Sequence, residues 1–322
     1  MKKNVVLITL DEAHASLKSQ WGNSAMREDM HLAPAFLRAQ VAATTKAPIL
    51  AMTASAKVKG KKSKDKSEVD EIIEMCSIKY SPTTIISISP ILHNHLYVNI
   101  KKPPSAAKFY GRNCYSFSEQ KIGSIHILWR IYLQFFVSDL KNGKVPKKAI
   151  LYVRRMEDLA ELDDFLTSQL GHLDVARSSN TCPWVINSSA TGKVTAQRIR
   201  ERTTDESSPI YLYITTSVML FGLNIKDVSI VILFSPFNSL NSIIQAGGRA
   251  GRRQGDGRRR TSVIYTLYNG TDLRTNSPMD NSVRIFCKET ACLKKNMGGY
   301  FSLSPIAEQS KFWCCSSCGL EI

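Results

Sequence analysis

Residues 5–10 (Val-Val-Leu-Ile-Thr-Leu) form an unbroken apolar run closed by two acids, the pattern of a strand buried on both faces in a parallel sheet. A second run at 49–52 predicts another strand, followed by the small residues Thr53, Ala54, Ser55 and Ala56. The pattern then predicts a helix over 69–76 and strands over 84–88 and 96–100. Between 118 and 140, apolar residues recur three and four apart at Ile122, Ile125, Leu128, Ile131, Tyr132 and Phe135. That spacing predicts an amphipathic helix with this stripe against a core, ended by Asn142-Gly143 and barred from restarting by Pro146. Strand and helix signals then alternate: strand 149–153, helix 157–170, strand 184–187, helix 194–203, strands 210–215 and 229–234, helix 240–246, strand 262–267. Such alternation predicts an α/β fold, a doubly wound parallel sheet with helices on both faces.

Length and composition refine this outline. With 322 residues, the chain has room for two domains of ordinary size. Lys101-Lys102-Pro103-Pro104-Ser105 has the composition of a stiff linker and marks a domain boundary after residue 103. A content of 43% apolar and 22% charged residues is that of a folded globular protein. Forty-three basic against 27 acidic residues leave a net charge of +16, so a polyanion is the first partner to consider. A ribosomal, membrane-surface or heparin-binding protein would share that balance. No stretch approaches the ~18 consecutive apolar residues that cross a bilayer, so no membrane partner is expected. Lys2-Lys3 and the six-residue apolar run lack the cleavage site of a signal peptide. An intracellular protein is the expectation. Four of the eight cysteines gather at 292, 314, 315 and 318, a distribution unlike a disulfide framework.

Three patterns carry chemistry. Asp11-Glu12-Ala13-His14 sits at the C-terminal end of the first strand, where open α/β sheets bind ligands. An Asp there suits Mg²⁺ and a following Glu suits an attacking water, although two solvated acids would look the same in isolation. Gln245-Ala246-Gly247-Gly248-Arg249-Ala250-Gly251-Arg252 sets two arginines three apart among glycines, an arrangement that can bring fixed positive charge to a phosphate. Arg253 and Arg258-Arg259-Arg260 read as contacts to nucleic-acid backbone or solvent. Cys315-x-x-Cys318, its neighbour Cys314 and the distant Cys292 offer four thiolates for tetrahedral Zn²⁺, with Cys287 spare; buried free thiols are the alternative. The Lys-rich run 57–66 reads as a solvated loop, with a nuclear-localisation or DNA-backbone patch as alternatives.

Taken in order, Asp11-Glu12-Ala13-His14 and residues 52–56, 150–153, 215–228 and 245–252 resemble motifs II to VI of superfamily 2 helicases. Within that superfamily the chain resembles the RecQ family of DNA helicases. Ser19-Gln20-Trp21-Gly22 is similar to part of that family's aromatic-rich loop, and residues 221–228 to its motif V. The resemblance implies a partial first RecA-like lobe over 1–103, a complete second lobe over 104–275 and a zinc-binding subdomain over 276–322. It implies ATP between the lobes and 3′-to-5′ movement on DNA, single-stranded or in forked duplex, in a nuclear protein, or a cytoplasmic one if the source is prokaryotic. It assigns Asp11 to Mg²⁺, Glu12 to the attacking water, and Arg249 and Arg252 to catalysis as finger candidates. Gln245, Gly222 and Asn224 would bind the nucleotide. His14, Trp21, Arg27, Thr53, Ser55, Thr215, Thr216 and Ser217 would bind DNA or couple it to hydrolysis. Cys292, Cys314, Cys315 and Cys318 would hold Zn²⁺.

The chain also departs from the family. The phosphate cradle Gly-x-x-x-x-Gly-Lys-[Ser/Thr] is absent from the sequence; Thr191-Gly192-Lys193 is nearest and reads as a helix start. The first lobe is therefore expected to lack its phosphate-holding side, as in a fragment of a helicase. A non-catalytic nucleic-acid-binding remnant is the alternative. The aromatic-rich loop has two extra residues before Ser19 and Asn23 in place of a common His, and strand-separating contacts from a winged-helix domain after the cysteines are not expected.

Overall fold

The computed structural model describes residues 8–10, 13, 49–53, 68–76, 95–102, 127–170, 182–187, 197, 199, 201–202, 208–217, 225–252, 261–301 and 315–318. The chain divides into two compact units, residues 1–91 with 295–310, and residues 92–294 with 311–322.

In the first unit, β1 (Ile8–Leu10) and β2 (Ile49–Ala51) pair in parallel, with Ile8 opposite Ile49 and Leu10 opposite Ala51. The ladder continues past the strand ends, where the Met52 amide donates to Leu10 O and the Ala13 amide to Met52 O, each at 2.8 Å. Helix α1 (Glu68–Met75) carries Glu68, Asp70 and Glu71 in its first turn, where the helix dipole favours negative charge. Leu10, Ala13, Ile72 and Cys76 form a small buried core. Both strands and the helix match the sequence pattern; the strand expected over 84–88 lies outside the described residues.

The second unit is built on a six-stranded, all-parallel sheet in the order β3-β8-β7-β4-β6-β5. Its strands are β3 (His95–Lys101), β4 (Lys148–Tyr152), β5 (Trp184–Asn187), β6 (Leu212–Thr215), β7 (Val228–Leu233) and β8 (Ser262–Tyr268). All four residues of β6 are buried, as an interior strand of a sheet covered on both faces requires. Alternate side chains from β4, Ala149 and Leu151, join a core with Leu159, Leu162 and Leu166 of α3 (Met156–Leu170) and Phe136 and Val137 of α2 (Gln134–Lys141). The opposite face meets α4 (Leu240–Gly247) and α5 (Asn281–Lys288): Tyr152 packs edge-on against Phe237, which precedes α4, and Tyr97 against Phe286.

Two expectations are corrected here. The strand expected at 96–100, on the first-lobe side of the linker, is β3, and it pairs along its whole length with β8, from His95 opposite Ser262 to Lys101 opposite Tyr268. A linker composition at 101–105 hid this, because Lys102 is not a solvated linker residue but a buried anchor. The second correction concerns the helix expected over 118–140, described from residue 127. It contains a π-helical turn, Trp129–Leu133, in which the Gln134 amide donates to Trp129 O, five residues back. That extra residue rotates the buried stripe, so Phe135, expected in the core, is 58% exposed while Phe136 takes its place.

Candidate functional site

The two arginines predicted as finger candidates ride on a turn that three strands hold in place. Helix α4 begins at Ser239, whose hydroxyl accepts from the Ser242 amide at 3.2 Å, and it carries Gln245 one turn before Arg249. At its far end, a Cβ on Gly247 would lie 3.1 Å from Ile264 Cδ1 and 3.4 Å from the Tyr97 hydroxyl. Glycine lets the helix end seat directly on β8 and β3. Gly251 adopts φ 64°, a left-handed conformation natural to glycine, and its amide donates to Val228 O at 3.0 Å. Next to it, the His95 ring meets the carbonyl of Ala250 with Nε2 at 3.2 Å. Arg252 Nε donates to Gly248 O at 3.1 Å.

The positive charges of Arg249 and Arg252 both act on Tyr152, the last residue of β4. Burial holds the Tyr152 hydroxyl well above its usual pKa, and the two guanidiniums draw it back down. Tyr152 stands opposite Thr215 in the parallel ladder, so Thr215 shares that face of the sheet. The chain leaves β4 for β5 and β6 on one side and returns across it to β7 and β8 on the other. The C-terminal ends of β4, β6 and β7 therefore flank a topological switch point, the usual ligand crevice of such sheets. At that edge Thr215 donates to Thr216 O at 3.0 Å, Ser217 is exposed, and Arg154 donates to Asn238 Oδ1 at 3.2 Å. The Thr216 hydroxyl is buried and has no hydrogen-bond partner among the described residues.

Lys102, just past β3, is 5% exposed. Its ammonium donates to Phe234 O at 2.5 Å and Ser235 Oγ at 3.0 Å, and pairs with Asp272 at 3.4 Å. Burial lowers its pKa, while Asp272 opposes the shift. Asp272 is itself held by the Asn269 amide at 3.0 Å, and Asn269 Oδ1 accepts from the Asp272 amide at 2.8 Å. This cluster ties the edge strand β3 across β8 to the end of β7. Sequence pattern could not reveal it, because a lysine at a strand end usually reaches solvent.

Cys292, Cys315 and Cys318 bring their Sγ atoms within 4.8 Å of one another, with Cys315 and Cys318 3.5 Å apart. Tetrahedral Zn²⁺ bound at about 2.3 Å would set its thiolates roughly 3.8 Å apart. The Leu293 amide donates to Cys315 Sγ at 3.3 Å, an outer contact of the kind that orients a ligating sulfur. Three soft ligands with one exposed member, Cys318, fit a zinc ion. The Cys315–Cys318 turn also caps the outer edge of β3, through a bridge between Tyr97 and Cys315 and a bond from the Asn99 amide to Ser316 Oγ at 3.4 Å. Cys287, the spare, stands apart from the cluster; burial pushes its thiol up to about 12, so it stays protonated.

No curated protein sequence matches this chain. Residues 132–254 match the helicase conserved C-terminal domain. The arginine turn and the strand-end crevice both fall within the matched residues, whereas β3, β8 and the cysteine cluster fall outside them. Among solved structures, the chain is similar to the DUF1998 helicase MrfA bound to DNA and AMPPNP, with 15% identity, 82% of this chain, 30% of that one and a TM-score of 0.50. It is also similar to the helicase Lhr of Mycobacterium smegmatis bound to single-stranded DNA and AMP-PNP (19%, 83% and 29%, 0.49). A third is Dbp5 of S. cerevisiae bound to RNA and ADP BeF3 (14%, 84% and 55%, 0.47). The likeness to MrfA shows the fold. The chain spans between 29% and 55% of the length of these three.

Of the residues predicted to act, the structure gathers Arg249, Arg252 and Thr215 on one face beside the strand-end crevice, with Gln245 on the helix that leads into the arginine turn. Three of the four predicted zinc ligands come together. Thr53 lies in the first unit, half-buried after β2. Asp11, Glu12, His14, Trp21, Arg27, Ser55, Gly222, Asn224 and Cys314 lie outside the described residues. Tyr152, His95 and Lys102 were missed by sequence reasoning, since each looks like an ordinary strand residue or linker charge.

Proposed function

We propose that these residues serve an ATP-driven DNA helicase of the RecQ type, moving 3′ to 5′. The observation that carries the reading is the helicase C-terminal domain match, in which both arginines act at Tyr152 beside Thr215. In this reading Arg249 and Arg252 direct positive charge at the triphosphate, where charge builds during phosphoryl transfer. Asp11 would hold Mg²⁺ and Glu12 would orient the water. Thr215, Thr216 and Ser217 would meet the phosphodiester backbone at the strand ends, linking strand contact to the nucleotide through β6 and β4. The cysteine cluster would hold one Zn²⁺, and the Lys-rich run 57–66 would favour a nuclear location.

A second reading is a nucleic-acid-binding protein that does not hydrolyse ATP. Both readings put a polyanion on the +16 chain. The DNA assignment is tested by fluorescence anisotropy with single-stranded DNA and RNA of one sequence, titrated from low to moderate salt. DNA is expected to bind more tightly, with affinity falling roughly 10- to 100-fold between 50 and 200 mM salt as a few phosphate contacts release counterions. RNA bound as tightly as DNA overturns the DNA assignment, and a flat salt profile overturns the phosphate contacts.

A further inference from the structure

We propose that His95 is a positioning residue for Arg249 and Arg252, holding the carbonyl of Ala250 and with it the turn that carries both guanidiniums. The inference rests on the helicase reading and names a residue that reading does not use. His95 opens β3 and is 7% exposed, and its ring packs edge-on to Tyr97 at a centroid distance of 6.2 Å. A carbonyl oxygen can only accept, so the 3.2 Å contact to Ala250 requires the ring proton on Nε2. Burial, aided by the nearby charge of Lys294, pulls the imidazole down to about 4 against the pull of the Ala250 bond, so the ring is neutral near pH 7. A neutral imidazole has one N–H, and here it goes to the arginine turn.

The backbone around the arginines is fixed from three strands. Gly247 seats on Ile264 of β8 and the Tyr97 hydroxyl of β3, Ala250 is held by His95 of β3, and Gly251 by Val228 of β7. Arg249 and Arg252 alternate with these three anchored positions. Of the three ties, His95 is the one made by a side chain hydrogen bond, and it comes from a strand outside residues 132–254. Leucine would fill the same buried space without burying polar atoms, so an apolar packing role does not account for an imidazole aimed at a carbonyl.

The test compares His95→Leu, His95→Gln and His95→Asn in the full chain by hydrogen exchange, thermal unfolding and binding of a fluorescent Mg²⁺-bound triphosphate nucleotide. Glutamine places an N–H where Nε2 stands; asparagine falls short of it. In H95L the Ala250 and Gly251 amides are expected to exchange roughly fivefold faster or more, while amides of β4 and β6 keep their rates. H95Q should restore the wild-type rates and H95N should not. Nucleotide affinity should fall in H95L by a factor similar to that in Arg252→Ala. Unchanged exchange at Ala250 and Gly251 in H95L, or identical behaviour of H95Q and H95N, overturns the proposal; if H95L does not fold, the Gln–Asn comparison decides. Nucleotide affinity untouched by R252A counts against the helicase reading, and the exchange rates then decide the role of His95.

Discussion

Replacing Cys315 with serine is expected to abolish stoichiometric zinc binding and to lower the unfolding temperature by about 5–10 °C, a loss on the order of 3 kcal/mol in a unit of this size. Cys315 is fully buried, faces two other thiols within 4.8 Å and receives the Leu293 amide. It is also the residue through which the terminal turn bridges to Tyr97 on β3. A serine oxygen is a poor ligand for a thiolate site, and its loss would expose an unpaired edge of the six-stranded sheet. Cys287→Ser is the control. That thiol lies outside the cluster and stays protonated, so metal content should remain at about one equivalent by elemental analysis. Zinc retained in C315S would remove the three-thiolate site, and zinc lost in C287S would relocate it.

Lys102→Met is expected to destabilise the second unit by about 2–4 kcal/mol, measured by denaturant unfolding. The methionine fills the volume but leaves the Phe234 carbonyl and the Asp272 carboxylate without their cation. The low end of that range applies because Asp272 keeps the Asn269 amide. Adding Asp272→Asn to Lys102→Met should recover part of the loss, since the second change removes the stranded charge. The pH dependence has a defined sign. Burial depresses the Lys102 pKa below its unfolded value, so the unfolded chain binds the extra proton and stability from this group rises with pH between the folded value and the ordinary lysine range. Additive losses in the double variant would show that the two side chains act independently.

Periodicity carried most of the second unit. β4, α3, β5, β6, β7, α4 and β8 fall within a few residues of the apolar runs that announced them, because each is a buried parallel strand or a helix with one apolar face. Sequence reasoning went astray where a local rule met a tertiary contact. A π-helical turn moved the buried stripe from Phe135 to Phe136, and no spacing in the sequence announces an i to i+5 turn. Lys102 looked like linker because its partners, Phe234, Ser235 and Asp272, lie more than a hundred residues away. The site was legible in a similar measure. Glycines around Arg249 and Arg252 pointed to close backbone approach, and Gly247 and Gly251 show it. That His95 holds the same turn was not legible, since a lone histidine opening a strand carries no spacing signal. Four clustered cysteines suggested a metal, and three of them meet.

If single-stranded nucleic acid lies at the C-terminal ends of β4, β6 and β7, as we propose, Ser217→Glu is expected to weaken its binding. Ser217 is exposed at the end of β6, next to Thr216, so a carboxylate there adds negative charge to the proposed phosphate path with little cost to the fold. Anisotropy with a single-stranded DNA probe at low salt should show affinity reduced roughly tenfold, with the unfolding temperature unchanged and the difference shrinking as salt rises. A folded S217E chain that binds the probe as tightly as wild type would contradict that placement.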